Sequence, residues 1–129
     1  MKFLKFIIKV TIFGWCLSLV HLTGCKKTPN DSIIIAPNVF TPTDCSQLGN
    51  KDENDFFIVK SSDDKPVSLK VFTRANVLIF SEEAILCVWD GCSLSGEPMA
   101  TGIYYYTAEI IDSNPKVKTY GYVYLYREK

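Results

Sequence analysis

Apolar side chains recur at every second position in two stretches of this sequence, and that period dictates extended strands. Val67, Leu69 and Val71 alternate with Ser68, Lys70 and Phe72, and Val123 and Leu125 alternate with Tyr120, Tyr122, Tyr124 and Tyr126. An extended chain turns successive side chains to opposite faces, so each stretch offers one face to a core. A helix would scatter the same residues around its circumference. Other β-rich runs punctuate the chain. Ile33 to Ile35 with Val39-Phe40 predict a first strand bent around Pro37, and Phe56 to Lys60 predict a second. Ala75-Asn76 separates the 67–72 strand from Val77 to Phe80, which predicts a hairpin. Ile103 to Ile111 and Val117 to Tyr126 predict another across Asp112-Ser113-Asn114-Pro115. The expected fold is all-β, an immunoglobulin-like antiparallel β-sandwich of about six to seven strands, occupying residues 33–129.

What precedes that domain reads as an address. Lys2 and Lys5 make a positive start, and an apolar run follows to Val20, interrupted by Lys9. The run is shorter than the ~20 residues that a spanning helix needs, so residues 1–24 are expected to be a helical, cleaved signal peptide. Leu22-Thr23-Gly24-Cys25 then resembles the bacterial lipobox. The resemblance implies acylation of Cys25, cleavage after Gly24 and a lipid anchor in the outer membrane, with the face undecided. Several acyl chains on one residue hold firmly where one chain holds only marginally. Residues 25–32 are the expected tether.

Removal of that segment decides the chemistry. The 14 basic residues include Lys2, Lys5 and Lys9, so the mature chain carries 11 against 14 acidic residues, a net charge of −3. With no basic run, it lacks the electrostatic footprint of a nucleic-acid binder. The only histidine, His21, leaves with the signal, which excludes Ser-His-Asp and Cys-His catalysis and histidine-ligated zinc. The expectation is no enzyme and no cofactor, with Ca²⁺ the one ion worth weighing.

Read in order, the remaining landmarks carry a family resemblance. They are Pro37-Asn38-Val39-Phe40-Thr41-Pro42, Asn54-Asp55, the Val71–Phe80 hairpin, Trp89-Asp90-Gly91, Gly102-Ile103-Tyr104-Tyr105-Tyr106, and the terminal Tyr120 to Arg127. The set resembles the gliding-motility-associated C-terminal domain, the type B sorting domain of the type IX secretion system. That family runs approximately P-N-x-F-T-P, an I-x-N-R-W-G-x-x-V-F hairpin, W-D-G, G-x-Y-x-Y and a terminal G-x-V-x-L-x-R. Ala75-Asn76 stands where the family has Trp-Gly, so Asn76 is expected to take the positive φ that glycine would. The resemblance implies export, surface attachment and envelope or secretion-system proteins as partners.

Several residue groups are candidate sites. Asp44, Asn50, Asp52, Asn54 and Asp55 crowd oxygen ligands of the kind Ca²⁺ takes. The alternative, favoured here because the spacing is irregular and Lys51 intrudes, is side-chain turns. Trp89 is expected to plug the core, Asp90 to accept turn amides and Gly91 to take positive φ. Asp63-Asp64 and Glu82-Glu83 read as solvated turns. Tyr120, Tyr122, Tyr124 and Tyr126 line the face opposite Val123 and Leu125, either as a glycan-stacking surface or as a cross-strand ladder. Of the cysteines left in an oxidising compartment, Cys45 and Cys92 are expected to be exposed and Cys87 buried beside Trp89. Cys45–Cys92 is the favoured bridge, with Cys87–Cys92 or three free thiols as alternatives.

Overall fold

A computed structural model of the chain describes residues 31–43, 45 and 53–128. The chain divides into two units, Met1–Asp31 and Ser32–Lys129, and every described strand belongs to the second. The signal segment, the lipobox and most of the tether therefore lie outside the described residues.

The described residues of the second unit form eight strands and one short 3-10 turn: β1 Ile34–Ile35, β2 Val39–Phe40, the turn Glu53–Asp55, β3 Phe57–Ser61, β4 Val67–Phe72, β5 Leu78–Ala84, β6 Leu86–Trp89, β7 Gly102–Ile110 and β8 Lys118–Leu125. They form two sheets, one of three strands in the order β1-β3-β6 and one of five in the order β2-β8-β7-β4-β5. Their facing sides make an all-β sandwich. Val59, Val67, Leu69, Val71, Val123 and Leu125 are all fully buried between them, together with Phe40, Phe57 and Trp89. The period-two reading of β4 and β8 thus put the right side chains inside.

Both hairpins form. Between β4 and β5 the chain reverses at Asn76, whose φ of 62° is left-handed, with Thr73 N–H donating to Val77 O at 2.9 Å and Asn76 N–H to Thr73 O at 2.9 Å. Asparagine tolerates that conformation better than other non-glycine residues. Between β7 and β8 the Ser113 hydroxyl donates to Ile110 O at 2.9 Å and accepts from Val117 N–H at 3.0 Å.

Three expectations need correction. The first strand is two strands. β1 pairs antiparallel with β3, whereas β2 pairs with β8, and that pairing is parallel. Pro37 has no N–H and a fixed φ, so a ladder cannot run through it, and the chain crosses between the sheets there. The strand total is eight because this split adds one and the short run Leu86–Trp89 adds another. Glu82 and Glu83 are not in a turn. They extend β5 at the edge of its sheet, where charged side chains are well tolerated. Glu82 Oε2 accepts Val88 N–H at 2.7 Å, and Glu83 Oε1 accepts the Ser68 hydroxyl at 3.1 Å.

Candidate functional site

Segments far apart in sequence meet at one end of the sandwich. Trp89 closes β6 and is fully buried, with ring centroids 5.2 Å from Phe40, 5.4 Å from Tyr104 and 6.4 Å from Phe57. Its indole N–H donates to Cys92 O at 2.8 Å, which removes the cost of burying that polar group. The chain must turn sharply to bring Cys92 back under the ring. Gly91 makes the turn with φ of +78°, and Asp90 Oδ1 accepts Cys92 N–H at 3.0 Å. A Cβ on Gly91 would lie 2.9 Å from Pro42 and 3.1 Å from Arg127, so the corner is closed sterically as well as conformationally.

Arg127 clamps this corner. Its Nε donates to Met99 O at 3.0 Å, Nη1 to Pro42 O at 3.2 Å and Nη2 to Gly91 O at 3.1 Å. A planar guanidinium can span several carbonyls at fixed angles, which an ammonium cannot. The backbone closes the same junction, with Tyr126 N–H on Phe40 O at 3.1 Å and Thr41 N–H on Asn54 O at 2.7 Å. In the sequence Arg127 is no more than the last residue of the terminal motif. Its signal was an arginine just past the final strand, but nothing in the sequence says which carbonyls it reaches.

Two of the cysteines sit at the same end. Cys45 and Cys92 are disulfide-bonded with a Cα separation of 6.1 Å. Cys92 is 4% exposed, so the expected exposure is corrected: the return of the chain under Trp89 buries it. Cys87 is free and buried. Its thiol donates to Val67 O at 3.1 Å, and burial pushes its pKa up, which leaves it a poor nucleophile.

Of the acidic-loop residues, Asp44, Asn50 and Asp52 lie outside the described residues, as does Cys25. Asn54 and Asp55 lie on the 3-10 turn and line a cleft of about 410 Å³ with Thr41, Thr43, Tyr126 and Glu128. Among the described residues no group of three His, Cys, Asp or Glu side chains could hold a metal. No helix among them is long and apolar enough to cross a membrane. Ser32, read as the last tether residue, donates to Asp63 Oδ2 at 2.6 Å, and Lys65 Nζ lies 2.8 Å from the same oxygen. Those two partners hold the Asp63 carboxyl at about 2. Asp63 is therefore engaged, where a merely solvated turn was expected.

The tyrosines divide by face. Tyr104 is buried and its hydroxyl donates to Ala100 O at 2.7 Å. Tyr106 lies inside against Gly121, where a Cβ would come within 2.6 Å of its ring. Tyr120, Tyr122 and Tyr124 point outward from β8 at 69%, 58% and 39% exposure. Tyr126 is exposed too, one residue beyond the strand. Across the ladder Tyr122 faces Tyr105, and Tyr124 faces Ile103 on one side and Val39 on the other. Tyr105, Ile103 and Val39 are exposed as well and were not among the anticipated surface residues. Their strand partners, which only the register reveals, make them part of one patch.

Comparison with known proteins gives one family. The CHU_C type IX secretion signal domain matches residues 34–125. No curated protein and no solved structure matches.

Proposed function

The chain belongs to the type IX secretion signal domain family, and from that membership we propose that it is a non-enzymatic outer-membrane lipoprotein whose sandwich docks onto envelope proteins. The domain is a secretion signal, not a catalytic one, and it implies export to the outer membrane or cell surface by the type IX machinery. The observation that carries the docking reading is the clamped end. Pro42, Gly91 and Arg127, drawn from the opening, central and terminal motifs, are held against one another there. A signal must be read as a shape if it offers no chemistry, and this clamp fixes a shape. The crossing of the chain between sheets at Pro37 supports reading the sandwich as immunoglobulin-like.

The anchor rests on Leu22-Thr23-Gly24-Cys25 behind a charged, apolar leader. Metabolic labelling with a fatty-acid analogue tests it. The wild-type protein takes up label and Cys25→Ala does not; equal labelling of both, or of neither, overturns the anchor.

A further inference from the structure

The outer face of the five-stranded sheet carries a patch of exposed aromatic and aliphatic side chains. Tyr120, Tyr122 and Tyr124 follow one another along β8 at every second residue, a spacing of about 7 Å. Beside them lie Tyr105 and Ile103 on β7 and Val39 on β2, each 42% exposed or more. Together these six side chains expose on the order of 500 Å², taking about 200 Å² for a whole aromatic side chain. A patch of that size on a monomer is commonly functional.

A stabilising ladder would explain the tyrosines if their rings packed on one another. They do not. Among the described residues the close ring pairs all involve Trp89 or Phe57, inside the sandwich, and none joins two of the outward tyrosines. The rings of Tyr105, Tyr122 and Tyr124 are left free to take a flat apolar ligand. Tyr120 has an ionic neighbour among the described residues, Lys118 Nζ at 5.3 Å from its centroid.

Charge and area select the occupant. Among the described residues no charged side chain lies between Tyr105, Tyr122 and Tyr124; the charges gather at the Tyr120 end, where Glu109 is 3.1 Å from Lys116 and 3.9 Å from Lys118 and is also acted on by Lys70, which leaves that end net positive. The uncharged stretch is therefore the one that runs through Tyr105, Tyr122 and Tyr124, away from those lysines. The area falls short of the roughly 800 Å² that each partner commits to a stable protein complex, which argues against a second copy. A regular file of amphipathic rings with free hydroxyls matches a linear chain of flat, uncharged, polyhydroxylated rings. We propose that this face binds a neutral polysaccharide, whose pyranose C–H faces stack on Tyr105, Tyr122 and Tyr124 while the phenol hydroxyls bond the sugar hydroxyls.

Affinity electrophoresis of the full chain in gels cast with β-1,3-glucan, hydroxyethylcellulose or mannan tests this. At least one polymer is expected to retard the wild type. The Tyr105→Ala/Tyr122→Ala variant is expected to bind that polymer about tenfold more weakly, since each stacked ring contributes about 0.5–1.5 kcal/mol. Tyr122→Lys, whose long stem still covers the strand, serves should the double variant not fold. Retardation by none of the three polymers, or equal retardation of wild type and folded variant, overturns the proposal. So does concentration-dependent self-association of the wild type that the variant loses, because the face would then be an interface between copies.

Discussion

Arg127 holds three stretches of backbone with one side chain: Met99, Gly91 and the Pro42–Thr43 segment. Hydrogen bonds from a charged donor contribute about 1.5–3 kcal/mol each when well buried, but this guanidinium is partly exposed. Arg127→Ala is therefore expected to lower stability by about 2–3 kcal/mol in urea unfolding, and Arg127→Lys to recover less than half, for want of the planar fork. An unchanged midpoint in both would remove the clamp from the account. The neighbouring bridge joins residues 47 apart, and its reduction is expected to cost about 2–4 kcal/mol. Non-reducing peptide mapping should yield a linked Cys45–Cys92 peptide, and a linked Cys87 peptide would refute it. Asp63 answers to pH. Lys65 and Ser32 bond its ionised form and lower its pKa from 3.8 to about 2, so the stabilisation is complete above about 4 and is lost as pH falls toward 2. Amide exchange at β1, next to Ser32, is expected to speed up over that window in the wild type. Asp63→Asn should show no such step, and identical profiles would assign the change elsewhere.

At the level of the strand, Gly121 is the most exacting position on β8. Its missing side chain makes room for the Tyr106 ring on the inner face, and Phe57, 5.1 Å away, limits where that ring can go. Gly121→Ala is expected to destabilise by about 1–3 kcal/mol, and Tyr106→Leu in the same chain to relieve part of it; a thermal melt of the two variants checks this. The strands themselves were legible wherever period two was strong or a turn residue was obligatory. Val67 to Val71 and Val123-Leu125 announced their buried face, and Asn76 announced its turn. The sheet to which a strand belongs was not legible. Nothing local distinguishes Ile34–Ile35 from Val39–Phe40, and only the loss of ladder hydrogen bonding at Pro37 explains why they part. β6 is too short for its period to register, and Glu82-Glu83 looked like a turn because edge strands accept charge. The end site was legible in part for the same reason. Trp89, Asp90 and Gly91 act within a few residues of chain, whereas the reach of Arg127 to Pro42 spans 85 residues.

Across the whole molecule, the two sheets do different things. Their interior and the Arg127 end fix one rigid shape, and the outer face of the larger sheet presents rings to solvent. The 14 basic and 14 acidic residues of the chain balance, which gives little long-range steering, so recognition must rest on shape and on short-range contacts. A folding defect at the clamped end should therefore weaken recognition even where the tyrosine face is intact. A type IX secretion signal implies that the chain is exported to the outer membrane or cell surface. Protease shaving of intact cells tests export most directly, comparing the full chain in a host with a working type IX translocon and in one that lacks it. Digestion is expected in the first and protection in the second, with Arg127→Ala protected in both. Equal digestion of the wild-type chain in the two hosts, or equal protection, would contradict it.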